Sequence, residues 1–137
     1  MSRLVLDCSV VLAWCFDDEG GRYADRVLES LTQGEAVVPA IWPLEVANAL
    51  LVAERRKRIK QAESVRCASL LRSLPIEIDG ETATRAMGET MAIARREKLS
   101  AYDAAYLELA MRCGVPLATL DKAMKKATKR VGVTLFG

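Results

Sequence analysis

Short apolar runs alternate along the chain with longer segments whose apolar residues recur every three or four positions. The short runs predict buried strands, at residues 3–7, 35–40, 75–79, 115–121 and 131–137. The longer segments predict amphipathic helices, at residues 22–31, 43–58, 61–74, 81–98, 100–114 and 122–130. Residues 9–16 fit either a continuing strand or a helix, and residues 17–21 indicate a turn. This alternation predicts one α/β domain over residues 1–137, with helices packed around a mainly parallel sheet.

Four acidic residues fall at the ends of predicted strands or the starts of predicted helices. Asp7 ends the first strand, and Asp121 ends the fourth strand or opens the helix after it. Glu45 and Asp103 each lie in the first turn of a predicted helix. In open α/β sheets, ligands bind beyond the carboxyl ends of the strands, so these acids mark the expected site. Taken singly, each acid also fits an ordinary role as a helix cap or as a complement to a positive helix end.

Convergence of these acids would carry a large electrostatic cost. Two carboxylates about 4 Å apart repel by about 4 kcal/mol at an effective dielectric constant near 20. A fold is stable by only about 5–15 kcal/mol, so a bound divalent cation is the expected compensation. The chain contains no histidine, which excludes Ser-His-Asp and Cys-His catalysis and histidine metal sites. A site of oxygen ligands alone selects a hard ion, Mg²⁺ or Mn²⁺.

Composition limits the remaining function classes. The net charge is only +2, from 20 basic and 18 acidic residues, so any nucleic-acid binding must depend on local patches. No segment reaches the uninterrupted apolar length of a membrane span, and Met1 leads directly into a predicted strand, so a cytoplasmic location is expected. The cysteines are scattered without a CxxC pair and are expected to be free, buried thiols: Cys8, Cys15, Cys67 and Cys113.

Four segments of the chain, LVLDCSVVLAW, PLEVANAL, SAYDAAYLELA and LATLDKAMKKA, carry a resemblance to a known family. In this order and spacing they resemble the PIN-domain ribonucleases, and most closely the VapC-type toxins of bacterial toxin–antitoxin pairs. The resemblance implies a three-layer α/β/α sandwich. It also implies that Asp7, Glu45 and Asp103 are the central metal-binding acids and that Asp121 is the fourth. By the same resemblance, Ser9 and Thr119 are hydroxyl residues that orient those carboxylates, and Asn48 is a polar residue beside the site.

The activity implied by this resemblance is endoribonuclease cleavage supported by Mg²⁺ or Mn²⁺. Hydrolysis of the phosphodiester bond would leave 5′-phosphate and 3′-hydroxyl ends on a tRNA, an rRNA or an mRNA. The implied protein partners are a VapB-like antitoxin and a second copy of the chain. A groove between the apolar helices at 9–16 and 22–31 is the expected antitoxin surface, and ordinary core packing is the alternative.

Basic clusters provide candidate contacts for RNA. The segment RRKRIK at 55–60 has five basic residues in six, and a second cluster lies in KAMKKATKR at 122–130. The candidates are Arg55, Arg56, Lys57, Arg58, Lys122 and Lys125. An antitoxin's acidic surface is a second possible partner, and solvation of helix C-termini is the ordinary alternative.

Two other functions remain open. One is a different Mg²⁺-dependent phosphohydrolase, although Asp7-Cys8-Ser9 lacks the second acid of a haloacid-dehalogenase motif. The other is a metal-free binding module in which the acids only cap helices.

Overall fold

The computed structural model describes residues 2–16 and 21–137, and within these ranges four parallel strands form one sheet. The strands are β1 (Ser2–Leu6), β2 (Gly34–Val38), β3 (Ile76–Ile78) and β4 (Leu117–Ala118). Their order across the sheet is β3-β2-β1-β4, and Val5 of β1 pairs with Val37 on one side and Leu117 on the other. Residues 17–20 of the predicted turn lie outside the described ranges.

The helices occupy most of the predicted helical segments. They are α1 (Cys8–Cys15), α2 (Gly21–Ser30), α3 (Trp42–Arg55), α4 (Gln61–Ser73), α5 (Thr82–Arg85), α6 (Met91–Glu97), α7 (Ala101–Cys113) and α8 (Lys122–Val131). A π-helical segment, Ala86–Thr90, joins α5 to α6, so the single helix predicted at 81–98 has an irregular centre. The ambiguous segment at 9–16 is helical, and it buries Val10, Val11 and Ala13.

The predicted last strand at 131–137 is wrong. Helix α8 continues to Val131 and ends at Gly132, which takes a left-handed conformation with φ +78°. The remaining residues form only an isolated parallel bridge between Leu135 and Leu117. Since β4 has only two residues, it offers too short an edge for a further strand to pair along.

The connections between strands place helices on both faces of the sheet. The chain moves in one direction from β1 through β2 to β3, and right-handed crossovers therefore put α1 to α4 on one face. The connection from β3 to β4 returns across the sheet and puts α5 to α7 on the opposite face, where α7 contacts β1. This arrangement confirms the predicted three-layer α/β/α sandwich. The direction of winding reverses between β1 and β4, which is where such sheets open a binding crevice.

Two of the four cysteines are paired, so the prediction of free thiols is wrong for Cys15 and Cys67. The disulfide joins the C-terminal end of α1 to α4 across 52 residues of sequence, with a Cα–Cα distance of 5.6 Å. Cys8 and Cys113 are free. The packing of α1 against α4 brings the two thiols together, and their sequence spacing carries no sign of that contact.

Across residues 2–16 and 21–137, the helices fall short of the length and apolar character that crossing a membrane requires.

Candidate functional site

Asp7 lies at the crevice between β1 and β4 and is nearly buried, with 7% of its surface exposed. The Ser9 and Thr119 hydroxyls both donate to its Oδ2 atom, each at 2.7 Å. Asp7 occupies the N-cap position of α1, yet it makes no side-chain capping hydrogen bond to the described residues of that helix. Its carboxylate is therefore held by the two hydroxyls and the backbone N–H of Cys8, without a capping hydrogen bond deeper in the helix.

The same hydroxyls fix the loop that follows β4. Ser9 Oγ accepts a hydrogen bond from the Leu120 backbone N–H at 2.9 Å, and Thr119 Oγ1 accepts one from the Asp121 N–H at 3.0 Å. Thr119 is fully buried. Each hydroxyl thus donates to Asp7 and accepts from the loop, which ties the positions of Asp7 and Asp121 together.

Glu45 is half-buried in the N-terminal part of α3, and its Oε1 atom accepts a 2.6 Å hydrogen bond from the Tyr106 hydroxyl. Tyr106 is fully buried on α7, three residues after Asp103. Burial, reinforced by Glu45, raises the pKa of Tyr106 well above its usual range, so the hydroxyl keeps its proton and donates. Tyr106 is not among the site residues predicted from the sequence. A tyrosine one helical turn after Asp103 was the available signal.

Asp103 and Asp121 lie at the starts of α7 and α8. The Asp103 backbone N–H donates to Ser100 Oγ at 3.1 Å, so Ser100 caps α7, and the Asp103 side chain is half-buried. Asp121 caps α8, because its Oδ1 atom accepts from the N–H groups of Ala123 at 2.8 Å and Met124 at 3.2 Å. Capping uses one oxygen of Asp121, and the side chain is exposed.

The charges of neighbouring acids help to raise the pKa values of Asp7, Glu45 and Asp103, which links these residues and Asp121 into one electrostatic group. Burial is the largest cause of the raised pKa of Asp7, Glu45 and Asp103. The Asp121 charge adds to the shift at Asp7 and at Asp103, and the Asp7 charge adds to the shifts at Glu45 and Asp103. Hydrogen bonds from Ser9, Thr119 and Tyr106 oppose these shifts. Asp7 and Asp103 thus interact electrostatically with each other, with Glu45 and with Asp121, which places the four predicted acids near one end of the sheet.

The donor set fits a hard divalent cation. The side chains that meet here offer carboxylate and hydroxyl oxygens, and the whole chain lacks imidazole. Burial and the charges of Asp7 and Glu45 raise the pKa of Cys8 to about 12, so its thiol stays protonated and is a poor ligand. Within the ranges that the structure describes, no three Asp, Glu or Cys side chains already form a metal-holding group.

The predicted basic residues fall into two places. Lys122 and Lys125 follow Asp121 in α8, and Lys125 Nζ lies 5.7 Å from the centre of the Tyr23 ring. The Tyr23 hydroxyl accepts a hydrogen bond from the Thr119 N–H at 3.3 Å. Lys125 therefore lies next to a tyrosine that contacts Thr119, one of the two residues that hold Asp7. Arg55 ends α3 ten residues after Glu45, which is about 15 Å along the helix axis.

Arg58 and Asn48 take no part in the hydrogen bonds described above for the four site acids. The Arg58 guanidinium lies 4.4 Å from the centre of the Phe16 ring, just beyond the end of α1 opposite Asp7. Asn48 is exposed on α3, one turn after Glu45. The structure thus gathers the acids, the two hydroxyls and two lysines, while residues 55–58 form a separate basic patch.

A cavity of about 530 Å³ lies between the C-terminal end of α1 and α4, away from the acids. Its walls include Trp14, Phe16, Leu70, Arg58 and Arg66. Among the described residues, none of α2 lines it, so the groove beside α1 differs from the one expected between the helices at 9–16 and 22–31.

Comparisons with known proteins identify the family and agree with the fold. A family model described as the PIN domain matches residues 4–130. The chain is similar to Ribonuclease VapC3 of Pyrobaculum aerophilum, with 26% identity over 122 residues, 89% of this chain and 92% of that relative. The crystal structure of PAE2754 from Pyrobaculum aerophilum matches with a TM-score of 0.71 and 22% identity, over 94% of this chain and 86% of that one. The crystal structure of VapBC2 from Rickettsia felis, bound to a DNA fragment from its promoter, matches with a TM-score of 0.67 and 16% identity. The match covers 98% of this chain and 97% of that one.

Proposed function

Since the chain belongs to the PIN domain family, we propose that it is a Mg²⁺- or Mn²⁺-dependent endoribonuclease and the toxin of a VapBC-type pair. The observation that carries the proposal is the environment of the Asp7 carboxylate. Its nearly buried carboxylate is held by Ser9 and Thr119, makes no helix cap, and interacts electrostatically with the other acids of the site. Burying a carboxylate without a counter-charge is costly, and a bound cation would supply that counter-charge. The similarity to Ribonuclease VapC3 supports the choice of RNA as substrate.

The residues have distinct roles in this proposal. Asp7, Glu45 and Asp103 would hold the ion, and Asp121 would assist with the oxygen that α8 does not use. When bound, the ion lowers the pKa of the attacking water and stabilises charge on the phosphate oxygens. Ser9 and Thr119 keep the Asp7 carboxylate in one orientation. The positive end of α7 offsets part of the negative charge near Asp103.

RNA must approach an acidic centre, so nearby cations have to attract the phosphates. We propose that Lys122 and Lys125 do this beside the acids, because both lie in α8 directly after Asp121. The patch at residues 55–58 would contact more distant parts of the RNA or an antitoxin. Arg96 and Arg130 contribute less, because both pair with Glu97, at 3.3 Å and 2.6 Å.

A VapB-like antitoxin and a second copy of the chain are the proposed protein partners. The cavity beside α1 offers an antitoxin segment apolar walls with Arg58 and Arg66 at its edge. Exposed apolar side chains on α3, Leu44 at 68% and Leu51 at 46%, offer a surface for a homodimer. The complex solved for VapBC2 of Rickettsia felis supports the antitoxin as a partner.

A metal titration tests the proposal without knowledge of the RNA. Free Mn²⁺ at ten times its dissociation constant should stabilise the folded chain by about 1.4 kcal/mol, because the ion binds only the native site. For a chain of this size the melting temperature should rise by roughly 4–7 °C. The measurement is thermal unfolding of the wild type and of an Asp7→Asn, Asp103→Asn double variant across a series of Mn²⁺ concentrations.

A rise in the wild type alone would support a metal at these acids. A wild-type melting temperature that does not respond to Mn²⁺ would instead favour a metal-free binding module. Mapping of RNA ends then separates nucleases from other phosphohydrolases, since the proposed enzyme leaves 5′-phosphate and 3′-hydroxyl ends at internal sites.

The salt dependence of RNA binding should identify which lysines meet phosphate. In an Asp7→Asn background, which should slow cleavage about a thousandfold, replacing Lys122 and Lys125 with alanine should reduce the slope of log K against log salt by about 1.4, or about 0.7 for each lost contact to single-stranded RNA. The matched variant replaces Arg55 and Arg56. An equal or larger decrease of the salt slope in that variant would mean that the principal phosphate contacts lie in the basic patch at residues 55–58 instead.

A further inference from the structure

Tyr106 connects the two helices that carry Glu45 and Asp103. It lies on α7 within a run of buried residues from Ala104 to Ala110, most of which are apolar. A buried phenol needs a hydrogen-bond partner, and this one reaches across to α3, 61 residues away in sequence, to donate to Glu45 Oε1 at 2.6 Å. The contact therefore joins the helices that carry Glu45 and Asp103 through a side chain that is itself fully buried.

The position of Tyr106 along α7 makes this contact relevant to the site. Residues three apart on a helix lie on neighbouring parts of the same face, so Tyr106 and Asp103 face Glu45 from adjacent turns. A glutamate has three rotatable side-chain bonds, and a half-buried one without a partner would sample several orientations. The phenol on Oε1 selects one of them. It does so from a rigid ring that the core holds in place.

We propose that Tyr106 is a positioning residue, which holds the Glu45 carboxylate in the orientation that a divalent ion requires. The inference rests on the proposed metal-dependent function and assigns a further residue to that site. Groups that orient a metal-binding side chain through a hydrogen bond commonly change metal affinity by roughly 10- to 100-fold when they are removed. Tyr106→Phe removes the hydroxyl and keeps the ring, so the packing of the core changes little.

Direct Mn²⁺ binding, measured by the electron paramagnetic resonance signal of the free ion, tests the inference without RNA. Tyr106→Phe is expected to weaken binding roughly 10- to 100-fold relative to the wild type. Tyr102→Phe is the matched control, because it removes the same hydroxyl from the same helix at a side chain that is 60% exposed. Its affinity should equal that of the wild type. Thermal unfolding without metal verifies that both variants fold.

A double-mutant cycle separates positioning from a general loss of structure. If Tyr106 acts through Glu45, adding Tyr106→Phe to Glu45→Gln should weaken Mn²⁺ binding less than about twofold further. The same fold-loss in both backgrounds would overturn the inference, as would a Tyr106→Phe affinity equal to the wild type. A wild-type chain that binds no Mn²⁺ would overturn the metal-dependent function itself, and the role of Tyr106 with it.

Discussion

Replacing Asp7 with asparagine is expected to lower the rate of RNA cleavage about a thousandfold while the fold remains intact. The change keeps the size of the side chain and an acceptor for the Ser9 and Thr119 hydroxyls, but it removes the negative charge at the centre of the site. Loss of one preorganised charged or hydrogen-bonding group commonly costs about 10²–10³ in rate. The measurement is single-turnover cleavage of an RNA with mapped sites, at saturating Mn²⁺.

The stability of this variant should move in the opposite direction from its activity. Burial raises the pKa of Asp7, so its ionised form is less favourable in the folded state than in the unfolded chain. A carboxyl group of this kind contributes stability that is fully present below its unfolded pKa and is lost as the pH rises through its folded pKa. Without divalent ions, Asp7→Asn should therefore melt at a higher temperature than the wild type at neutral pH, and the difference should close on acidification.

A control variant distinguishes this effect from a general response to lost charge. Asp25→Asn makes the same chemical change at an exposed position on α2, and it should leave cleavage unchanged and stability within about 0.5 kcal/mol. A variant of Asp7 that still cleaves RNA would contradict the catalytic role of the carboxylate, and one that is destabilised at neutral pH would contradict the cost assigned to its buried charge.

Local pattern was sufficient to predict the alternating elements and the sheet because each strand and helix carries its own periodicity. It was insufficient where the type of secondary structure depends on contacts with other elements of the fold. Residues 9–16 are apolar almost throughout, so only the turn at Asp7 separates the buried helix α1 from β1. At residues 131–137 the alternation predicts a strand, but the short edge of β4 leaves only the bridge at Leu135.

The candidate site was predictable as a set of residues but not as a geometry. Asp7, Glu45, Asp103 and Asp121 stand out because they lie at strand ends and helix starts, and parallel strands end at a common edge. Sequence could not distinguish the cap at Asp121 from the held carboxylate at Asp7, since that difference depends on hydrogen bonds across 112 residues of sequence between Thr119 and Asp7. Tyr106 and the Cys15–Cys67 pair were missed for the same reason, because their contacts join helices that are distant in sequence.

A second group of acids lies far from the predicted site and surrounds Arg112 near the end of α7. The guanidinium contacts both oxygens of Glu108, at 2.9 Å and 3.1 Å, and both oxygens of Asp79, at 3.1 Å and 2.8 Å. The side chain of Arg112 is 16% exposed, and those of Asp79 and Glu108 are 10% and 6% exposed. These contacts fasten α7 to the connection after β3.

Replacing Arg112 with methionine should destabilise the fold by about 3–5 kcal/mol, because it leaves the buried carboxylate of Glu108 and the partly buried carboxylate of Asp79 without their counter-charge. This is a large part of a total stability of about 5–15 kcal/mol, and the melting temperature should fall by roughly 10 °C or more. Arg85→Met is the matched control. Arg85 pairs with Glu81 at an exposed position, 37% and 56% for the two side chains, where ion pairs contribute about 0–1 kcal/mol.

The loss in Arg112→Met should depend on pH in a definite direction. The hydrogen bonds from Arg112 are the largest cause of the lowered pKa of Asp79, so this pair contributes stability above the unfolded pKa and loses it as the pH falls through the folded pKa. The variant lacks that contribution, so the gap to the wild type should be widest near neutral pH and should narrow in acid. Chemical denaturation at neutral pH and near pH 3, below the ordinary pKa of 3.8 for an aspartate, measures both gaps. Equal gaps at the two values would mean that Arg112 supports the fold through packing of its hydrocarbon stem rather than through its charge.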